Sequence, residues 1–183
     1  MIIKRKILAL SGSIRKNSSN EIILKNIAEM FKDQLELEIY DLESLPHFNP
    51  DLDNENPPQV IQEFRTKIKS ANGLLICSPE YVFSIPSVLK NAIEWNVSTM
   101  LFSKKPTAFI IASTSGEKAF TSLELILKTV ETEISENSKL LIKGVKGMIN
   151  ENNIIDESTI NKIKKLTNSL IEAIEKQPVA NKM

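Results

Sequence analysis

The chain has 183 residues, 42% of them hydrophobic and 25% charged, and its 23 basic side chains balance its 23 acidic ones. That size and composition suit one compact domain over residues 1–183 with a sizeable core, and the balanced charge argues against a nucleic-acid footprint or a strongly acidic electron-transfer surface. The one cysteine, Cys77, excludes an internal disulfide, and no apolar run approaches the ~20 residues of a membrane-spanning helix.

The opening MIIKRKILAL is too short in its apolar part, and lacks the small-residue cleavage site, to be a secretory leader. The expectation is a soluble, cytoplasmic protein with neither a membrane nor a nucleic acid as partner.

Short β-type runs alternate with longer helical patterns along the chain. KILAL predicts a first strand, Glu21 to Phe31 a helix, LELEIYDL a second strand, Gln59 to Ser70 a helix and GLLICS a third strand. A helix from Pro86 to about Thr99, the strand TAFIIAST, a helix near Thr121 to Ile134, the weak strand KLLIKGV and a last helix from Glu157 to Glu175 follow. GLLIC and AFIIA are apolar without alternation, as in a parallel sheet covered on both faces, so the pattern predicts a five-stranded, doubly wound α/β fold. NPDLDNENPP and GMINENNIID read as loops, and the tail from about residue 177 to 183 is expected to fray.

Such sheets bind ligands beyond the carboxyl ends of their strands, where the strand order reverses. The loop after the first strand gathers Ser11, Gly12, Ser13, Arg15, Ser18, Ser19 and Asn20 ahead of a helix. Unpaired N–H groups and the positive end of the helix dipole stabilise an anion there, and a guanidinium adds a charge-assisted contact. Helix capping by Ser18, Ser19 or Asn20 explains one of these residues but not Gly12, Ser13 and Arg15 together. A Walker loop would need Gly-Lys-Ser/Thr and a dinucleotide fold three glycines, and neither is present. Asp41, after the second strand, reads as a turn residue. A phosphorylated receiver domain would need acids where this chain has Ser-Gly-Ser and Ser-Pro.

The second telling stretch is CSPEYVFSIPSVLKNAIEW, Cys77 to Trp95. Pro79 and Pro86 stiffen the loop, and Pro86 suits a helix start. A stiff loop can present main-chain groups and the Tyr81 ring to a flat heteroaromatic ligand. It also reads as a proline-rich turn whose Tyr81, Phe83 and Trp95 serve the core or a subunit contact.

Taken together, GSIRKNSSN and SPEYVFSIPSVLKNAIEW resemble the signature segments of the NADPH-dependent FMN reductase family, flavodoxin-like proteins that include quinone, azo and chromate reductases. The resemblance implies an FMN-dependent oxidoreductase that takes electrons from NADPH or NADH and passes them to a quinone or similar small acceptor. It implies that Ser13, Arg15, Ser18 and Asn20 hold the FMN phosphate, that Pro79, Glu80, Tyr81 and Val82 line the isoalloxazine ring, and that Ser115 and Gly116 reach its pyrimidine edge. It also implies a homodimer or homotetramer with the flavin near the subunit boundary, to which Phe83, Trp95, Met100 and Phe102 would contribute apolar surface. This chain departs from the family in having Val82 and Phe83 where asparagine and often glycine stand, and EKAF where glycines follow the fourth strand. Glu117, Ala119 and Phe120 there predict a narrowed, weak nicotinamide site beside a tight FMN site, with Lys118 positioned to offset the Glu117 charge. The alternatives are an FMN-binding electron-transfer protein with little NAD(P)H turnover and a non-catalytic phosphate-binding module.

The flavin carries the chemistry in such an enzyme, so no acid–base dyad or metal site is expected. The lone histidine, His47, reads as a loop residue and Cys77 as a small packing residue. DLDNEN fails as a calcium loop, since Asn56 and Gln62 replace the required glycine and glutamate, and reads as a solvated loop. In the last helix Ile160, Ile163, Leu166, Leu170, Ile171 and Ile174 form a core-facing stripe.

Overall fold

The computed structural model describes residues 4–177. Most of the tail expected to fray, residues 178–183, lies outside them.

Five parallel strands, β1 (Arg5–Ser11), β2 (Leu35–Tyr40), β3 (Gly73–Ser78), β4 (Thr107–Ser113) and β5 (Lys139–Lys143), form one sheet in the order β2-β1-β3-β4-β5. The two-residue period of the strands splits their side chains between two cores. Leu8, Leu10, Leu74, Ile76, Phe109 and Ile111 face helices α2 (Gln59–Ser70), α3 (Ser87–Glu94) and α4 (Glu117–Thr129). Ile7, Ala9, Leu75, Cys77, Ala108 and Ile110 face α1 (Ser19–Met30) and α5 (Glu157–Lys176). Both faces are covered, which is why β3 and β4 carry unbroken apolar runs. The fold is flavodoxin-like, as expected. After β2 the chain returns to the other side of β1, so the order reverses between β1 and β3 and a crevice opens at their carboxyl ends.

Several elements depart from the sequence reading. α3 ends at Glu94 and gives way to a short 3-10 turn at Val97–Thr99. α4 starts at Glu117 rather than near Thr121 and stops at Thr129, where Glu131 takes a positive φ of 58°. GMINENNIID contains a 3-10 turn at its start and then a small antiparallel hairpin, β6 (Ile149–Asn150) and β7 (Asn153–Ile154). The hairpin is tied to α1 by Asn26, whose Nδ2 donates to the Asn152 carbonyl at 2.9 Å.

The acidic run is not wholly solvated. Asp53 pairs with Arg65 at 2.7 Å, with side chains only 9% and 15% exposed. Burial pushes the Asp53 carboxyl up, but hydrogen bonds from Arg65 and Ser98 outweigh it and hold the group below its usual range. Of the apolar residues expected at the surface, Trp95 and Phe102 are buried instead. The Trp95 indole donates to the Pro46 carbonyl at 2.8 Å and meets the Phe48 ring edge-on, so a polar partner inside the fold made its burial favourable. Phe83 and Met100 remain exposed. Cys77 is fully buried, and burial pushes its thiol well up, in keeping with a packing role. His47 lies on an exposed loop.

Candidate functional site

The crevice is built where the β1 and β3 loops meet. The Gly12 amide donates to the Cys77 carbonyl at 2.9 Å, and a Cβ on Gly12 would sit 2.1 Å from Ser78 Oγ. Only glycine permits that approach. The loop then curls on itself: Ser11 Oγ donates to the Ser13 carbonyl at 3.0 Å, and Ser13 Oγ accepts from the Arg15 amide at 3.3 Å.

Ser18 is the N-cap of α1, its Oγ accepting from the Glu21 amide at 3.2 Å. Glu21 in turn accepts from the Asn17 amide at 2.8 Å and pairs with Lys25 at 2.6 Å. Capping therefore employs one serine and leaves the anion-binding capacity of the helix start in place. The Ser19 and Asn20 amides have no hydrogen-bond acceptor among the described residues, and neither does the Arg15 guanidinium. The Asn20 side chain is buried beneath the loop, where its Oδ1 accepts from the Cys77 thiol at 3.3 Å.

The loop after β3 is held from a distance. α4 begins at Gly116, which has a φ of 97° and offers no side-chain cap. Glu80 fills that role from 39 residues away, accepting from the Ala119 amide at 2.9 Å and from the Ser115 hydroxyl at 3.3 Å. A carboxylate at a helix start is favoured by the dipole as well as by the bonds. Next, Tyr81 and Ser84 exchange backbone hydrogen bonds of 2.9 and 3.0 Å around Val82 and Phe83, both at positive φ, 50° and 57°. Two-residue turns of this kind favour Asn-Gly. A β-branched or bulky residue placed there is strained by roughly 1–2 kcal/mol. Val82 is 97% and Phe83 76% exposed, so neither recovers that cost by packing among the described residues. Ser84 Oγ fixes the turn to Ser122 Oγ on α4 at 3.2 Å.

The start of α4 does not narrow the site in the way its sequence implies. Ala119 is buried, and the Phe120 ring packs 5.0 Å from Phe109, so both side chains point into the core. Glu117 pairs with Lys143 rather than Lys118, and that bond holds its carboxyl below the usual range.

These loops enclose a cavity of about 570 Å³. Ser13, Arg15, Ser18 and Asn20 line it from the first loop, and Pro79, Glu80 and Tyr81 from the second. Val82, Ser115 and Gly116 do not: Val82 points to solvent, while Ser115 and Gly116 support Glu80 and the start of α4. Ser19, gathered into the first loop by its sequence, lines the cavity too, whereas sequence reasoning missed Asn17, the β4 end at Ala112, Ser113 and Thr114, and Val145, Lys146 and Ile149 from the segment leading into the hairpin. The β4 residues were open to the strand-end rule. Val145 and Lys146 follow the end of β5 and were open to the same rule, whereas Ile149 belongs to the hairpin, which only its contact with α1 brings there.

Arg15 and Lys146 face the cavity without an ion pair among the described residues, whereas its acid, Glu80, is engaged by α4. Pro79, Tyr81, Ala112, Val145 and Ile149 supply apolar wall. One part of the cavity therefore suits a phosphate and another a flat ring, which fits FMN. Among the described residues no group of three or more His, Cys, Asp or Glu could hold a metal.

Residues 5–142 match the family described as NADPH-dependent FMN reductase. The chain is 28% identical to the NADH-dependent flavin reductase subunit 2 of Lactobacillus johnsonii, over 93% of this chain and 97% of that one. It is 39% identical to an NADPH:quinone oxidoreductase of Arabidopsis thaliana over 61% of this chain, spanning 58% of the plant enzyme's length. The solved structure of FerB, a flavoenzyme NAD(P)H:(acceptor) oxidoreductase from Paracoccus denitrificans, superposes with a TM-score of 0.82 at 25% identity, covering 94% of this chain and 98% of FerB.

Proposed function

The chain belongs to the NADPH-dependent FMN reductase family, and from that premise we propose that the crevice between the β1 and β3 ends holds FMN for electron transfer from NAD(P)H to a quinone or similar small acceptor. In the net reaction NAD(P)H, a proton and a quinone give NAD(P)+ and a hydroquinone, with bound FMN carrying the two electrons between them. The chain's own residues bind and orient. The Ser19 and Asn20 amides, the Ser13 and Ser18 hydroxyls and Arg15 take the phosphate, with Lys146 as a second cation across the cavity. Pro79, Glu80 and Tyr81 give the ring a rigid edge, backed by Ser115 and Gly116. Solvent can supply the one proton of the net reaction, so no side chain has to donate or accept a proton for the electrons to pass.

The observation that carries this reading is the coincidence, in one cavity, of first-turn amides and a guanidinium that have no partner among the described residues with a proline-stiffened rim bearing Tyr81. The quinone activity of the plant relative supports the acceptor class. Residues 1–183 act as one FMN-binding unit in this reading. Val97, Met100 and Leu125, exposed and apolar on or beside α3 and α4, support a homodimer or a pair of dimers. No described helix is long and apolar enough to cross a membrane, and the cytoplasm is the compartment proposed.

Purification and anaerobic titration test the proposal. The protein loaded with FMN should be yellow, bleach with NADH or NADPH, and recover its colour when a quinone is added. Bound flavin that neither nucleotide bleaches would instead mark an electron-transfer protein, and failure to bind FMN would remove both readings.

A further inference from the structure

Cys77 reaches the first loop and α1 through two different atoms. Its carbonyl oxygen accepts from the Gly12 amide at 2.9 Å, and its thiol donates to Asn20 Oδ1 at 3.3 Å. A residue that only packs needs no such second bond, and others in the same core, such as Ile23, Leu75 and Ala112, are purely aliphatic. Asn20 is the second residue of α1 and only 4% exposed. Burying a carboxamide is costly unless both of its ends find partners. Oδ1 has the thiol, while Nδ2 has no acceptor among the described residues. Nor is Nδ2 sealed in, because the enclosed and unpartnered side-chain polar atom among the described residues is Asn96 Oδ1. Asn20 lines the cavity, so Nδ2 opens onto it.

From this we infer that Cys77 is a positioning residue for the cofactor: its thiol turns the Asn20 carboxamide so that Nδ2 faces the anion end of the cavity, a donor that FMN uses and unphosphorylated riboflavin does not. The inference rests on the FMN reading of the cavity. A carboxamide is nearly symmetric in shape, and its two orientations differ in which end donates. With Oδ1 on the thiol, Nδ2 joins the Ser19 and Asn20 amides and Arg15 as a donor at the start of α1. Turned by half a rotation, the group would set Nδ2 against sulfur, a weak acceptor, and aim its carbonyl oxygen at the phosphate. Burial pushes the thiol up, so its proton stays in place across the neutral range. The S–H bond is weak, but it has only to choose between these two orientations. An aliphatic residue at position 77 would fill the same core and leave that choice open.

The test compares FMN with riboflavin in fluorescence titrations of the flavin-free protein. Cys77→Ala removes the donor, and the ratio of FMN affinity to riboflavin affinity should fall about fivefold, the scale of one neutral hydrogen bond. Lost packing alone would weaken both ligands together and leave the ratio where it was. Cys77→Ser keeps a donor and should hold the ratio near the parent's even where the melting temperature drops. In an Asn20→Ala background, Cys77→Ala should change the ratio no further, because the thiol acts through the carboxamide. A ratio in Cys77→Ala within about twofold of the parent's overturns the inference, as does a fall in Cys77→Ser as large as in Cys77→Ala. NMR of the parent reads the contact without any variant: the Asn20 side-chain NH2 protons should move downfield with FMN and not with riboflavin. The absence of a shift specific to FMN overturns the inference. A parent protein that binds neither flavin would remove the FMN reading itself, and that result comes before any variant is made.

Discussion

The two loops that meet at the crevice are built in opposite ways. The loop after β1 folds on its own neighbours: Ser11 to Ser13, Ser13 to Arg15, Ser18 to Glu21 and Glu21 to Asn17 are all bonds between residues at most four apart. Its one positive-φ residue is Asn17, a type that tolerates that backbone. The segment after β3 is held by partners on α4, and its strained residues are of types that do not tolerate it. The first arrangement presents backbone donors at little cost, which suits an anion of fixed geometry. The second presents side chains at a fixed height, and its integrity depends on distant contacts.

The largest separation between the loops should appear in cofactor affinity. Arg15→Ala removes a charge-assisted contact and should weaken FMN by roughly 1.5–3 kcal/mol, while riboflavin, which lacks the phosphate, loses much less. Flavin fluorescence titrations of both ligands measure this. Equal losses would mean that Arg15 serves folding, and a larger loss of FMN on changing Val82 and Phe83 would reverse the roles assigned to the two loops.

Stability should separate them next. Glu80→Ala strips α4 of its only side-chain cap and unties the β3 loop, at a cost of about 1–2 kcal/mol. Hydrogen exchange should quicken at the Ala119 amide and also at the Tyr81 and Ser84 amides of the turn. Ser18→Ala should cost about 1 kcal/mol, with faster exchange confined to the start of α1. If Glu80→Ala leaves the turn amides protected, the turn does not depend on its remote clamp.

The same contrast explains what could be read from sequence. β3 and α2 were legible to the residue, because Gly73 and Pro58 mark their starts and their apolar patterns are clean. The anion-binding loop was legible because its small polar residues, its arginine and its helix start are adjacent in the chain. The start of α4 was not, since the residue that caps it lies on another loop. Nor was the β6–β7 hairpin, whose two-residue strands depend on Asn26 of α1 for support, and with it went Ile149 of the cavity wall. Val82 and Phe83 stood out as departures from a family pattern, but their positive φ values and exposure belong to the folded chain alone.

The smallest expected effect tests whether the first loop is tuned for an anion. Glu21 stands in the first turn of α1, where a bare carboxylate would repel a phosphate at the same helix start. Its hydrogen bond to Lys25 outweighs partial burial and, with the Asn17 amide, holds its carboxyl below the usual range. A carboxyl lowered on folding stabilises the fold above its unfolded value of about 4.3, and the contribution disappears as pH falls through the lower folded value. Because the pair is open to water, the contribution should be only about 0.3–0.5 kcal/mol. In urea unfolding of the FMN-free protein, Glu21→Gln should therefore fall short of the parent by that amount at pH 7 and match it near pH 3. Bound FMN brings its phosphate to the same helix start and opposes the Glu21 charge, so the deficit at pH 7 should shrink in the loaded protein. A deficit that is unchanged by FMN would place the phosphate away from the start of α1.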